Sequence, residues 1–390
     1  MTPEHNAIVS TTIRFEPPLE QEPEEQLRRE QGLSVVLDDD RRARLDPDDP
    51  RSPGFARVLA QLSRQRMPVY LEVDPETQTV NRLLIPHVAH VTGVTVSGGT
   101  LDVELDRSHA RHTLRLENPG AHELEQQIRE SHETGRLILL VEDEAHRVID
   151  ARAFTPPLDW PTPPFPPPPP PEPPPLRPPT WPLRPPPWPL RQFPLLLDKL
   201  WHLIWPWWWC DCVSQDTAQK VFAAMAATSC NPLTVPPPCI PFLYPDDGCW
   251  ARAHEMCRLM INMGLSPRKV WIDHSVGHQL HVSTRNNPQC YVEWYWHVAP
   301  TLCVRGPEFL QWQTMVIDPS LFDAPVSIAT WKGVQGDPGA TLTYTGPEQF
   351  WHGGGTDPTY SASNQILAQY RLALQNRSNQ LGPPPYANCP

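Results

Sequence analysis

Between Pro156 and Pro194, 22 of 39 residues are proline, and the run from Pro166 to Pro171 is unbroken. Proline fixes φ and lacks a backbone N–H, so a segment of this composition forms neither helix nor sheet interior. It reads as polyproline II, which at roughly 3.1 Å per residue could hold its two ends on the order of 100 Å apart. The chain of 390 residues is thereby divided into two separately folding parts joined by a linker over 154–194. Stiff spacing is the commoner use of such a segment; a PxxP ligand for an SH3-like partner is the other.

The two sides of the linker differ in charge. Residues 1–155 hold 28 acidic and 18 basic side chains, against 16 and 14 over 156–390, so the net charge of −12 is concentrated N-terminally. A surface of that sign repels phosphate, and no Lys/Arg cluster offsets it, which argues against nucleic acid as a partner. Residues 1–51 mix Glu-Pro repeats with the charge run Asp38 to Arg44 and are expected to be flexible. Met1 to Glu20 has neither the basic start nor the apolar run of a secretory signal. The most apolar stretch, Phe193 to Trp209, carries Asp198 and Lys199 and is broken by Pro206, so it does not span a bilayer. It is expected to pack as a collar on the following domain; contact with a membrane interface through its tryptophans is the alternative.

Residues 52–153 read as a small α+β domain. Val58, Leu59 and Leu62 recur at helical spacing, Val69, Leu71 and Val73 alternate as a strand, and after the turn Asp74 to Thr77 a return strand runs through Val80 and Leu83. The order recurs with Leu124 and Ile128 on a helix, Leu137, Leu139 and Val141 on a strand, and a return through Val148. A hairpin, Val91 to Val96 and Leu101 to Leu105 about Gly98-Gly99, separates the two copies. Seven histidines, His87, His90, His109, His112, His122, His132 and His146, are scattered here without any cysteine. They show no zinc-ligand spacing and are read as surface or internally satisfied residues, with no metal site.

All nine cysteines lie at Cys210 or beyond, and an odd count leaves one unpaired if the rest are bridged. Cys249 is the candidate. It follows Gly248 at the start of a helix expected to run to Met263 and stop at Gly264, with Trp250, Ala253, Met256, Cys257 and Met260 as its buried stripe. The unpaired N–H groups and positive dipole end of such a first turn favour a thiolate. Gln289 to Ala299 reads as a strand presenting His297, and the next strand, Trp312 to Ile317, ends in Asp318. A carboxylate closing one strand beside an imidazole on its antiparallel neighbour can hold that ring in one tautomer. Cysteine, histidine and aspartate then stand as nucleophile, base and orienter.

These residues lie in strings that resemble a known family. DGCWARAHEMCRLM at Asp247 to Met260, WHVA at Trp296 to Ala299, VIDPSLFDAPVSIATW at Val316 to Trp331 and SCNPLTVPPPCIPFLYP at Ser229 to Pro245 are similar to the bacterial protein glutaminases. The resemblance covers roughly Thr217 to Trp331. It implies a papain- and transglutaminase-like α+β domain over 195–390, catalysis by Cys249, His297 and Asp318, a disulfide between Cys230 and Cys239, and no cofactor. The segment Asp273 to Asn287, the chain after Gly333 and the tryptophan-rich stretch depart from the family pattern. Residues 54–85 faintly resemble part of that family's pro-region, which implies an intramolecular inhibitor; a targeting or adaptor domain is the other reading.

The implied reaction is hydrolysis of the side-chain amide of protein-bound glutamine through a thioester, with glutamine-containing proteins as substrates. Protein transglutaminase or cysteine protease activity would use the same residues, and a non-enzymatic interaction protein is the alternative from another class. Cys210 and Cys212 cannot easily bridge each other, a soft-metal pair being conceivable there, and Cys257 reads as a packed thiol. Bridged cysteines point to an oxidising destination, so export without a recognisable N-terminal signal is expected, cytoplasmic residence being the alternative.

Overall fold

A computed structural model of the chain describes residues 6–156, 212–235, 238–306 and 311–390. The polyproline linker, the tryptophan-rich stretch and Cys210, with the expectations attached to them, lie outside the described residues. The whole is α+β, built from small antiparallel sheets with helices packed against them.

The expected helix over 55–62 is part of Ser52–Gln65, which turns Phe55, Val58, Leu59 and Leu62 inward. Strand Val69–Val73 lies in a sheet between Asn6–Ser10 and Val80–Leu84. The second copy holds as well. Helix Ala121–Thr134 buries Ile128 over Ile138–Glu142 and Val148–Ala153, and Val91–Ser97 pairs with Thr100–Leu105 as a hairpin.

The expectation of a flexible N-terminal segment is overturned. Residues 6–45 carry four strands and the helix Pro23–Arg29, with Phe15, Leu33, Val35, Ala43 and Leu45 in the core beneath helix Ser52–Gln65. Arg42 to Leu45 alternate exposed and buried. Its basic residues are the outward face of a strand, so counting charges concealed a period of two.

In the C-terminal unit a five-stranded antiparallel sheet runs in the order Val326–Ser327, Trp312–Val316, Trp296–Arg305, Arg268–Asp273, Thr341–Thr345. Helix Cys249–Asn262 packs across its long central strand, and Trp250, Ala253, Met256 and Met260 meet Trp271, Trp296 and Val298. The stretch expected as one strand over 289–299 is two. Tyr291–Trp294 pairs with Leu280–Ser283, whereas Trp296 onward pairs with Arg268–Asp273, so the chain changes sheets at Tyr295. The segment 273–287 thus supplies a hairpin partner.

The chain after Gly333 ends in helix Ser361–Leu381, which lies against helix Cys249–Asn262 on one side and Ser52–Gln65 on the other. Leu372 belongs to the N-terminal core, and Asn376 and Gln380 each donate to Leu83 O at 2.8 Å. Asn379 donates to Arg51 O at 2.8 Å, which Gly54 permits: a Cβ there would stand 1.9 Å from Asn379 Oδ1. Disulfides join Cys212 to Cys303, Cys230 to Cys239 and Cys290 to Cys389. The Cys230–Cys239 bridge is the one the resemblance implied, and the bridging of Cys212 removes the soft-metal pair. Cys249 and Cys257 are free and buried. No helix among the described residues is long and apolar enough to cross a membrane, and the disulfides fit an extracellular protein.

Candidate active site

Cys249 is the first residue of its helix because Gly248 turns the chain in at φ 79°. A Cβ on Gly248 would meet the Tyr370 ring at 2.4 Å, so position 248 needs glycine for both conformation and space. The strand of chain before it is fixed from several sides. Arg252 donates to the carbonyls of Tyr244 and Asp247, and Trp294 Nε1 donates to Asp246 O at 2.9 Å. The Tyr370 hydroxyl donates to Asp247 Oδ2 at 2.6 Å. Arg377 forks onto Asp246 at 2.7 and 3.0 Å. These contacts pin the backbone that carries the sulfur.

His297 lies near the start of the central strand, opposite Ile272. Its Nε2 donates to Asp318 Oδ2 at 2.9 Å, and the same oxygen accepts from Trp331 Nε1 at 3.0 Å. The imidazole is stacked between Trp294, 4.4 Å between centroids, and Trp331, 5.6 Å. Burial pushes Asp318 up, but the hydrogen bonds from His297 and Trp331 overcome it and keep the carboxylate ionised. Burial also pushes the His297 imidazole down, more than Asp318 pulls it up. The Nε2–H directed at Asp318 leaves Nδ1 bare and without a hydrogen-bond partner. Cys249 Sγ and a ring nitrogen of His297 lie within 4.8 Å of each other. The three residues selected from the sequence are thus brought together: a thiol, an imidazole facing it, and a carboxylate behind the imidazole.

The surroundings of the sulfur run against the expected thiolate. Burial raises the Cys249 thiol well above its ordinary value and outweighs the opposing charge of Arg252. A helix N-terminus stabilises a thiolate by little against the cost of taking a charge wholly out of water.

The N-terminal unit adds to the packing around that sulfur, through a residue that sequence reasoning set aside. Arg111 N donates to Glu293 O and Tyr295 N donates to His109 O, both at 3.0 Å, so residues 109–111 lie antiparallel beside Trp294. His109 enters the space between Trp250, Trp294 and Trp296, its centroid 6.1 Å from that of His297. Its Nδ1 donates to Trp296 O at 2.9 Å and its backbone N–H to Asp247 Oδ1 at 3.2 Å. No spacing in the sequence distinguishes His109 from its neighbours; only the docking selects it. His87, His112 and His146 converge on Glu142 at 3.0, 2.5 and 2.8 Å, and His146 reaches across to Asp246 at 3.3 Å. All three thus pair with Glu142 inside the N-terminal unit, and His146 also joins the two units.

Residues 218–335 match a family model described as a glutaminase. That segment contains Cys249, His297 and Asp318 and takes in the sequence blocks that resemble the protein glutaminases. Among solved structures, a pro-protein-glutaminase is similar at 18% identity and TM-score 0.47, with 79% of this chain and 99% of that one covered. The protein-glutaminase from Chryseobacterium proteolyticum is similar at 26% identity and TM-score 0.38, over 46% of this chain and 99% of its own. No curated protein matches.

Proposed function

We propose that the chain is a protein-glutamine glutaminase whose N-terminal unit covers the active site until it is displaced. The observation that carries this reading is the meeting of Cys249, His297 and Asp318 inside the segment that matches a glutaminase family. In the proposed reaction His297 Nδ1 takes the Sγ proton as the sulfur attacks the side-chain carbonyl carbon of a protein-bound glutamine. The proton passes to the departing nitrogen, ammonia leaves, and a thioester remains. Water then adds to the thioester carbon, His297 takes its proton and returns it to sulfur, and glutamate is released. Asp318 holds the imidazole in the tautomer that leaves Nδ1 free and stabilises its transient charge. The Cys249 N–H, unpaired within the helix's first turn, is the proposed donor to the oxyanion.

The cover acts in two ways. His109 fills the space beside the thiol, and the closed, dry environment keeps that thiol protonated. Displacement admits water and lets the helix terminus and Arg252 favour the thiolate.

Ammonia release from a glutamine-containing protein, measured before and after limited proteolysis of the full chain, tests the reading. Release is expected to rise on nicking and to vanish in Cys249→Ala. Incorporation of an added primary amine in place of ammonia-yielding hydrolysis would reassign the second half-reaction to transamidation. Absence of either product in both states would overturn the proposal.

A further inference from the structure

The covered site contains a ligand set that the deamidation chemistry does not require. Cys249 Sγ and one ring nitrogen from each of His109 and His297 all lie within 4.8 Å of one another, and all three residues are buried. In both rings the far nitrogen is already engaged: His109 Nδ1 by the Trp296 carbonyl, His297 Nε2 by the Asp318 carboxylate. The nitrogens left over, His109 Nε2 and His297 Nδ1, are both buried and without a hydrogen-bond partner. Orphaned buried nitrogens are rare because each loses its hydration without compensation. Two of them, in rings that each bring a nitrogen within 4.8 Å of one thiol, call for an occupant. Histidines that ligate metals almost always donate their second N–H to a carboxylate or a backbone carbonyl, which is the arrangement both rings have here.

We propose that Cys249, His109 and His297 form a site for a borderline-soft divalent cation of the Zn2+ type, assembled only while the N-terminal unit is docked. One thiolate and two imidazoles suit such an ion and are poor ligands for Mg2+ or Ca2+. Metal-to-ligand distances of about 2.0 Å to nitrogen and about 2.3 Å to sulfur place tetrahedral ligands roughly 3.5 Å apart, so the three atoms need to close by little more than about 1 Å. Binding forms a metal–sulfur bond and releases the Sγ proton to solvent. The fourth position falls to water or to Asp247 Oδ1, which lies 3.4 Å from His109 Nε2. The consequence rests on the proposed covered form: the ion ties the cover to the nucleophile and the base, adding a metal-dependent lock to displacement.

Titration of the folded full-length protein with CoCl2, followed by absorbance, tests the site without any assay of activity. One equivalent of Co2+ is expected to give a near-ultraviolet sulfur-to-cobalt charge-transfer band together with the visible bands of a four-coordinate ion, and ZnCl2 should displace it. The band should disappear in Cys249→Ala and survive in Cys257→Ala and Cys210→Ala. Loss of an outer-shell partner alone costs about 10–100-fold in affinity, so His109→Ala is expected to weaken binding by more than about 100-fold. The histidines around Glu142 offer no sulfur, so an ion held there gives no such band. No charge-transfer band at saturating Co2+, or a band of unchanged affinity in His109→Ala, would overturn the site. Should His109→Ala fail to fold, the wild-type titration and a thermal shift produced by ZnCl2 that is larger in wild type than in Cys249→Ala still decide it. A chain that shows the band but never releases ammonia keeps the site and loses the deamidase reading; the reverse result loses only the site.

Discussion

Cys249, His297 and Asp318 were legible because each lies in a local context with a recognisable chemical preference: a glycine-led helix start, a strand rich in aromatic residues, a strand end. What surrounds them was not. Trp331 stands in a quoted sequence block, yet nothing in that block says that its indole would donate to Asp318 at 3.0 Å while stacking on His297. Trp331→Phe keeps most of the stack and removes the donor. A hydrogen bond to a charged group is worth about 1.5–3 kcal/mol, so on the proposed reaction kcat is expected to fall roughly 10- to 100-fold with KM little changed. An unchanged kcat would remove Trp331 from the orientation of the carboxylate. Gly248→Ala is expected to be worse, because the new Cβ meets the Tyr370 ring in a backbone region that L residues rarely adopt. A loss of about 1–3 kcal/mol in unfolding free energy, read by denaturant titration, should accompany loss of Cys249 function.

At the scale of elements, the helices and hairpins of 52–153 followed from periodicity because each buries its own apolar face. The contacts between units did not, because the residues that make them have partners far away in sequence. Asn376 and Gln380 on the C-terminal helix reach Leu83, and His146 reaches Asp246. Burial alone would lower the His146 imidazole, but Glu142 and then Asp246 overcome it and hold it well above its ordinary 6.5. Both carboxylates are held low, Glu142 by His146, His112 and His87, and Asp246 first by Arg377, in each case against burial. A group raised on folding contributes stability that is complete below its unfolded value and is lost as pH climbs through its folded one. The difference in Tm between the native chain and His146→Gln should therefore be largest near pH 6 and shrink toward alkaline pH. At its maximum it should correspond to about 3 kcal/mol, the scale for breaking a buried ion pair. A difference that grows with pH would contradict the assignment of charge.

At the scale of the whole molecule, composition indicated two dissimilar parts but not that they embrace. Core residue Leu372, the strand-like pairing of Ala110 with Trp294, and the pair His146–Asp246 tie the N-terminal unit to the other at separate points. The flexible acidic arm expected at the N-terminus is folded for the same reason that the Cys249 thiol is pushed up: burial, which only the assembled structure reveals, overrides local charge. Cys212–Cys303 and Cys290–Cys389 close loops separated by 91 and 99 residues, anchoring both ends of the C-terminal unit to its sheet region. Bridges of that kind stabilise by about 2–4 kcal/mol each through the entropy of the unfolded chain. The sulfur and its imidazole thus sit in a sheet region that these bridges hold, and the proposed displacement of the N-terminal unit requires that this region keep its fold. The intact mass of a glutamine-bearing protein incubated with the nicked chain tests the central claim most directly. The account predicts increments of about one dalton per amide converted to acid, present with native protein and absent with Cys249→Ala; an unchanged mass, or equal increments from the Cys249→Ala chain, would contradict it.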